Sequence, residues 1–245
     1  MQVKLSEPFM TKYVTMGKIK YAGKNALLLT TPWFKRVHFK NWGIPKDSNE
    51  GRVSFFFKLN GEEIPESEMS YFVENVLKLL EEKLKKEAVD TKIAFIGSKR
   101  GRDDDGFSVD VPEDMSAADV EAHTKGIFKP LVQTNESYAS SFISDVQVRV
   151  NKSGKSNKME PSKCKFYDDN MEPLSLRDAM EKIEMGKDKI QARALVEFSA
   201  VTYKKPNEKS GCSINAKSQL LMVQLRSVES EEDEQVQLDP SEVFM

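Results

Sequence analysis

Histidine and cysteine are scarce in this chain of 245 residues, with two of each, and that scarcity removes whole classes of chemistry. With only His38 and His123 there is no HExxH pair, no histidine to join a CxxC, and no Cys/His dyad. Zinc catalysis is therefore not expected, and neither is a cofactor. Cys164 and Cys212 stand far apart in no ligand-like spacing, which suits a reducing, intracellular compartment better than a disulfide-stapled secreted scaffold. No run approaches the roughly 18 apolar residues of a membrane span. The opening MQVKLSEPFM also lacks an apolar signal core, so neither membrane insertion nor secretion is expected. A folded body of this size buries roughly 70–75% of the surface its extended chain would expose, and needs no staple.

Two fragments that carry chemistry elsewhere are incomplete here. Ser153-Gly154-Lys155-Ser156 contains a GKS, but the position where a phosphate-binding loop needs its first glycine is Arg149. Asp103, Asp104 and Asp105 could offer oxygen ligands to a hard cation. They sit beside Lys99, Arg100 and Arg102, however, and a solvated, self-neutralising loop accounts for them better.

The net charge of −2 hides an asymmetry. Seven acids and no Lys or Arg lie in residues 228–245, and setting them aside leaves 37 basic against 32 acidic residues. A block of like charge repels itself, stays solvated and makes poor core. The chain therefore divides into a mildly basic body, residues 1–227, and a disordered acidic tail, 228–245, whose tip is Val243, Phe244 and Met245.

Within the body, 11–21, 26–31, 52–59, 92–97, 143–150, 163–168, 190–203 and 218–228 are rich in β-branched and aromatic residues between turn formers, and read as strands. Val146, Val148 and Val150 alternate with Asp145, Gln147 and Arg149, and Ala192 to Ala200 do the same, the period of a strand with one buried face. Met69, Phe72, Val73, Val76, Leu77, Leu80 and Leu84 predict a helix over 67–87 capped by Ser67. Ser116 with Asp119 and Ser175 with Asp178 predict helices over 116–125 and 175–185. About eight strands with inserted helices indicate a mainly β barrel or sandwich.

What remains is a pattern of aromatics among cations. Residues 32–42 hold Trp33, Phe34, Phe39 and Trp42 with Lys35, Arg36 and Lys40. Single strands of nucleic acid are held by cations that track phosphates and by rings that stack on bases at about 1–3 kcal/mol each. The same rings could equally be core, since aromatics are mostly buried. The turn 151–158 adds Lys152, Lys155 and Lys158 beyond Arg149, with no acid between them. Tyr203 with Lys204, and more loosely Tyr138, repeat the theme.

Taken together, Leu27-Leu28-Leu29, Thr30-Thr31-Pro32, the aromatics that follow and Arg52-Val53-Ser54-Phe55-Phe56-Phe57 resemble the amino-terminal part of the single-stranded DNA-binding proteins of large nucleocytoplasmic DNA viruses. Residues 194–203 and 218–225 resemble the closing strands of that family and of its distant phage replication counterparts. The resemblance implies an OB-fold-like Greek-key barrel with helical insertions that binds single strands with little sequence preference and without catalysis. It assigns binding to Trp33, Phe34, Lys35 and Arg36. It also likens Glu231, Glu232, Asp233, Glu234 and Phe244 to an acidic tail tipped by an aromatic, a handle for replication proteins at a viral replication site in the infected-cell cytoplasm or nucleus. A virion or host-interaction protein whose tail binds basic partners is the alternative, and self-association is left open. If the tail competes with DNA, deleting 228–245 should raise single-strand affinity at low salt and lose that effect at high salt, as read by fluorescence titration.

Overall fold

The computed structural model of the protein describes residues 3–11, 14–43, 50–59, 66–98, 107–135, 138–151, 158–186, 189–206 and 211–228. Asp103, Asp104, Asp105, Lys152, Lys155 and the acidic tail, with Glu231, Glu232, Asp233, Glu234 and Phe244, lie outside the described residues.

The chain opens with β1 (Val3–Leu5), β2 (Phe9–Met10) and β3 (Thr15–Tyr21). Then come β4 (Leu27–Thr30), β5 (Arg36–Asn41) and β6 (Glu50–Lys58). A helical insertion follows: α1 (Glu66–Tyr71), a π-helical turn (Phe72–Leu77) and α2 (Lys78–Asp90). A 3-10 turn (Ile93–Phe95) leads to β7 (Ile96–Ser98) and β8 (Phe107–Val109), which pair with each other, and then to α3 (Ala117–Gly126). The second half contains β9 (Val132–Asn135), β10 (Tyr138–Asn151), β11 (Lys158–Pro161), β12 (Lys165–Tyr167), β13 (Pro173–Leu174) and α4 (Leu176–Gly186). It closes with β14 (Ile190–Lys204) and β15 (Ser213–Ser227).

Six of these strands form a closed ring, because β4 and β5 are two halves of one bent segment. β4 pairs with β14, and the contact continues where the Thr31 N–H donates to the Ala194 carbonyl at 2.9 Å and Phe34 bridges Ala192. Pro32, which has no N–H to give a ladder, lies within this contact, and the bend follows at Lys35. Beyond the bend β5 leaves β14 and pairs with β6. β6 pairs antiparallel with β10, β10 meets β15 in parallel, and β15 runs antiparallel along β14. Counting the bent segment as one, the order around the barrel is first, second, third, fifth, fourth and back to the first, with α4 between the third and fourth. This is the five-stranded Greek-key ring of an OB-like fold, and the expectation of a mainly β, OB-like body with helical insertions holds.

Alternation fills the barrel. Val53, Phe55 and Phe57 of β6 point inward, as do Phe142, Val146 and Val148 of β10, and all are sealed from solvent. Rings meet in a chain: Phe34 and Phe57 centroids lie 4.9 Å apart, Phe57 and Phe142 6.2 Å, and Phe142 and Phe198 6.2 Å. Cys164 is buried in this core, and burial pushes its thiol far up, leaving it inert.

The helices follow their predicted caps with one exception. Ser116 and Asp119 form a reciprocal capping box on α3, and Ser175 with Asp178 repeats it on α4. Hydrogen bonds from Ser116 also hold the Asp119 carboxyl below the usual carboxylate range. Ser67, predicted as a cap, lies inside a helix that starts at Glu66. That helix is regular except at its π turn, where the buried residues Phe72 and Leu77 are five apart. α2 also grips the barrel through carboxylates: the Leu5 N–H donates to Glu87 and the Leu131 N–H to Glu81, both at 2.8 Å.

Two strand expectations shift. Residues 93–95 form a 3-10 turn after Lys92 takes a left-handed φ of 49°, so only the end of 92–97 is strand. The segment 36–41, within the aromatic and basic stretch 32–42 and not among the expected strands, is itself a barrel strand.

Phe34 touches Phe57 and Phe72 and has no exposed surface. Phe34→Ala should lower the unfolding free energy by about 3–5 kcal/mol in urea denaturation.

Candidate nucleic-acid interface

The strand period that sends phenylalanines inward must send their neighbours outward. On β6 those neighbours are Arg52, Ser54, Phe56 and Lys58. The antiparallel registers align them in rows across three strands: His38, Phe56 and Ile143 in one row, and Lys40, Ser54 and Asp145 in the next. Arg52 opposes Gln147, and Lys58 opposes Ser141. Past these rows β10 and β15 share a single aligned pair, Asp145 with Gln219, and the strands diverge from it. The result is an open groove of about 1250 Å³, floored by β6 and β10 and walled by Trp42 on one side and residues 215–219 on the other. In an OB-type barrel the face of the second and third strands, with the adjoining loops, is where oligonucleotides bind.

The groove has a basic balance and an aromatic lip. Among the described residues, Lys40, Arg52, Lys58 and Lys217 line it against two carboxylates, Glu50 and Asp145. Trp42 is 50% exposed. Its ring carries the Lys40 Nζ 4.0 Å from the centroid and the Arg52 guanidinium at 5.2 Å. The indole is anchored from below: its Nε1–H donates to Ser54 Oγ at 2.9 Å, and the Ser54 hydroxyl donates to Asp145 Oδ1 at 2.5 Å. Asp145 Oδ2 lies 3.4 Å from Arg52. One carboxylate thus orients the ring, through Ser54, and one of its two flanking cations. Half-buried Phe56 supplies an apolar centre to the floor. Chemically this surface can stack a flat base on Trp42 and neutralise phosphates on either side of it.

The residues singled out in the sequence divide between this groove and other places. Lys40 and Trp42 are in it. Phe39 has its side chain half-buried on the core side, 6.2 Å from Phe55, and only borders the groove. Arg36 is exposed at the far end of β5, aligned with Lys58, and Lys35 before it is half-buried.

Trp33 is half-buried elsewhere, against Arg193 and Arg226 on β14 and β15. Two expectations are corrected: Phe34, drawn in by its bridge to Ala192, and Tyr203, turned inward by the alternation of β14, are core residues, and neither offers a face to a base. Burial also raises the Tyr203 phenol pKa, with a smaller contribution from Cys212. Lys204 is exposed where β14 ends. Arg149 pairs with Glu50 at 3.2 Å on the outside of the β10 end. Tyr138 and Lys158 belong to β10 and β11, and their side chains lie outside the described residues.

His38, Arg52, Ser54, Phe56, Lys58, Asp145 and Lys217 are groove residues that the sequence reading missed. A signal for the β6 members existed. Three consecutive phenylalanines in a strand cannot all face one side, so the middle one must share the outer face with Arg52, Ser54 and Lys58.

Compared with known proteins, the chain matches no family model and no curated protein. Among solved structures it is similar to gp2.5, a single-stranded DNA binding protein encoded by bacteriophage T7, with TM-score 0.38 and 11% identity over 85% of this chain and 96% of that one. It is also similar to a C-terminally truncated single-stranded DNA-binding protein from bacteriophage Enc34, with TM-score 0.29 and 10% identity over 93% of this chain and 95% of that one. Both likenesses are shallow, and the fold assignment rests on the strand order.

In a Trp33→Phe background, where Trp42 is the remaining tryptophan, Ser54→Ala should release the indole. The expected outcome is a red-shifted emission and stronger iodide quenching, with a stability loss of only about 1 kcal/mol.

Proposed function

We propose that this protein is a non-catalytic, sequence-nonspecific single-stranded DNA-binding protein of viral DNA replication, recombination or repair. The observation that carries the reading is Trp42: a half-exposed ring flanked by Lys40 and Arg52 at the lip of a basic groove, on the barrel face where this fold type takes oligonucleotides. Stacking on Trp42 and neutralisation of phosphates do not depend on base identity, and the apolar centre of the floor, Phe56 and Ile143, offers no donor or acceptor to a base edge, which suits binding without base readout.

The mechanism is thermodynamic. A ligand that binds the open strand and not the duplex shifts the melting equilibrium toward open template by mass action. The acidic tail, under this reading, competes for the basic groove until DNA displaces it, and then engages replication proteins. The place of action is the viral replication site within the infected cell.

Titration of intrinsic fluorescence with poly-dT and with duplex at several salt concentrations tests the proposal. If the four groove cations each neutralise one phosphate, log K for the single strand should fall with log[salt] at a slope of about −2.8. Trp42→Ala should weaken single-strand binding by about 1–3 kcal/mol while leaving thermal unfolding in place. Equal affinity for duplex, or a flat salt response, would overturn the reading.

A further inference from the structure

The Trp33 cluster does not belong to the groove. Arg193 pairs across the ladder with Gln224, and Gln191 with Arg226, so the two arginines are diagonal neighbours on one face of the β14–β15 ribbon. Gln219, the groove residue nearest to them along β15, is seven positions before Arg226, about 23 Å along an extended strand. Trp33 faces both arginines, with its ring centroid 4.8 Å from the Arg193 guanidinium and 4.2 Å from that of Arg226.

What holds these arginines is unusual. Arg193 Nε–H donates to Gln224 Oε1 at 2.8 Å, and Arg226 donates from Nε and Nη2 to Gln191 Oε1 at 2.9 and 2.6 Å. Gln224 is itself buried and locked, its Nε2 donating to the carbonyls of Asp168 and Asp169 at 3.2 and 3.3 Å. Among the described residues neither guanidinium has an ion pair with a carboxylate. Neutral amides fix the direction of the two forks without cancelling their charge. Two like charges this close repel, and a ribbon that served only stability would gain by pairing one of them with an acid. Half-buried Tyr167, aligned with Gln224, and exposed Lys165 continue the aromatic and basic character along β12.

We propose that Trp33, Arg193 and Arg226 form a second binding site, separate from the groove, for the phosphodiester backbone and a stacked base of single-stranded nucleic acid. Oriented guanidinium forks suit phosphate oxygens, and the indole beside them supplies a stacking face. The proposal rests on the single-strand reading of the groove and adds a second contact, available to a strand long enough to pass around the barrel or to a separate strand.

The chain has two tryptophans, one at each site, so each can be read alone. Trp42→Phe, which keeps a ring in the groove, leaves Trp33 as the reporter. Trp33→Phe leaves Trp42. Each variant of the full chain is titrated to saturation with oligothymidylates of graded length. Trp33 emission should be quenched, and Arg193→Gln/Arg226→Gln should abolish that quenching and reduce the salt slope for long strands by about 1.4. The same double substitution should leave the Trp42 response to short strands unchanged. Should the double variant unfold, Arg193→Lys/Arg226→Lys replaces it. That variant keeps the charge but loses the fork, and should reduce the Trp33 response.

A Trp33 signal that stays constant at saturation, while Trp42 responds, would overturn the second site and leave the groove reading intact. Silence of both reporters would overturn the groove reading itself. A Trp33 emission that ignores DNA but shifts when residues 228–245 are deleted would assign the cluster to the acidic tail, and would also overturn the proposal.

Discussion

Everything on the binding face depends on how the barrel closes. β6 and β10 are paired over nine aligned positions, and β14 and β15 along nearly their whole length, but β10 and β15 share one parallel pair, Asp145 with Gln219. A longer ladder there would fill the space between them. Because ladder pairing is limited to one pair, the space between 141–147 and 215–219 is left open as the groove. Two register shifts in the β14–β15 ladder, at Leu195/Val196 and Phe198/Ala200, add the local bend that lets so long a ribbon curl back to meet β10. The same carboxylate at the point of closure, Asp145, then receives Ser54 and Arg52 and so orients Trp42.

The two tryptophans show how similar local sequence can serve different places. Trp33 and Trp42 sit at opposite ends of a short aromatic and basic stretch, and the sequence treats them alike. The change of partner between Phe34 and Arg36 separates them. Up to Phe34 the chain runs along β14, so Trp33 meets arginines on the β14–β15 ribbon; from Arg36 it pairs with β6, so Trp42 meets the groove. Between them Phe34 bridges Ala192 and has only the core to enter.

The long alternating strands and the capped helices were legible because their signals are local. Val146 and Val148 or Ala192 to Phe198 need only period two, and the Ser116 and Ser175 caps need only a spacing of three. The barrel order was not legible in the same way, since Phe34 meeting Ala192 or Asp145 meeting Gln219 depends on residues far apart in the chain. Site residues divided along that line. Lys40 and Trp42 were visible as an aromatic beside a cation, whereas Lys217 and Asp145 reach the groove through pairings that no short window contains. Phe34 and Tyr203 misled because composition alone does not say which face of a strand a ring takes. Phe56 was recoverable from the run of phenylalanines on β6.

The π turn between α1 and α2 carries a consequence for how the insertion tolerates change. Its buried residues are spaced three, five, three, four and four apart, from Met69 through Phe72, Leu77, Leu80 and Leu84 to Ala88. The five is one more than an ordinary helical step, so the turn accommodates a surplus residue by widening and keeps the apolar stripe unbroken. A chain shortened by one position between Val73 and Val76 would have an ordinary four-residue step there and the same stripe facing the barrel. An equal deletion in α2 has no widened turn to absorb it, and would rotate everything after it out of contact.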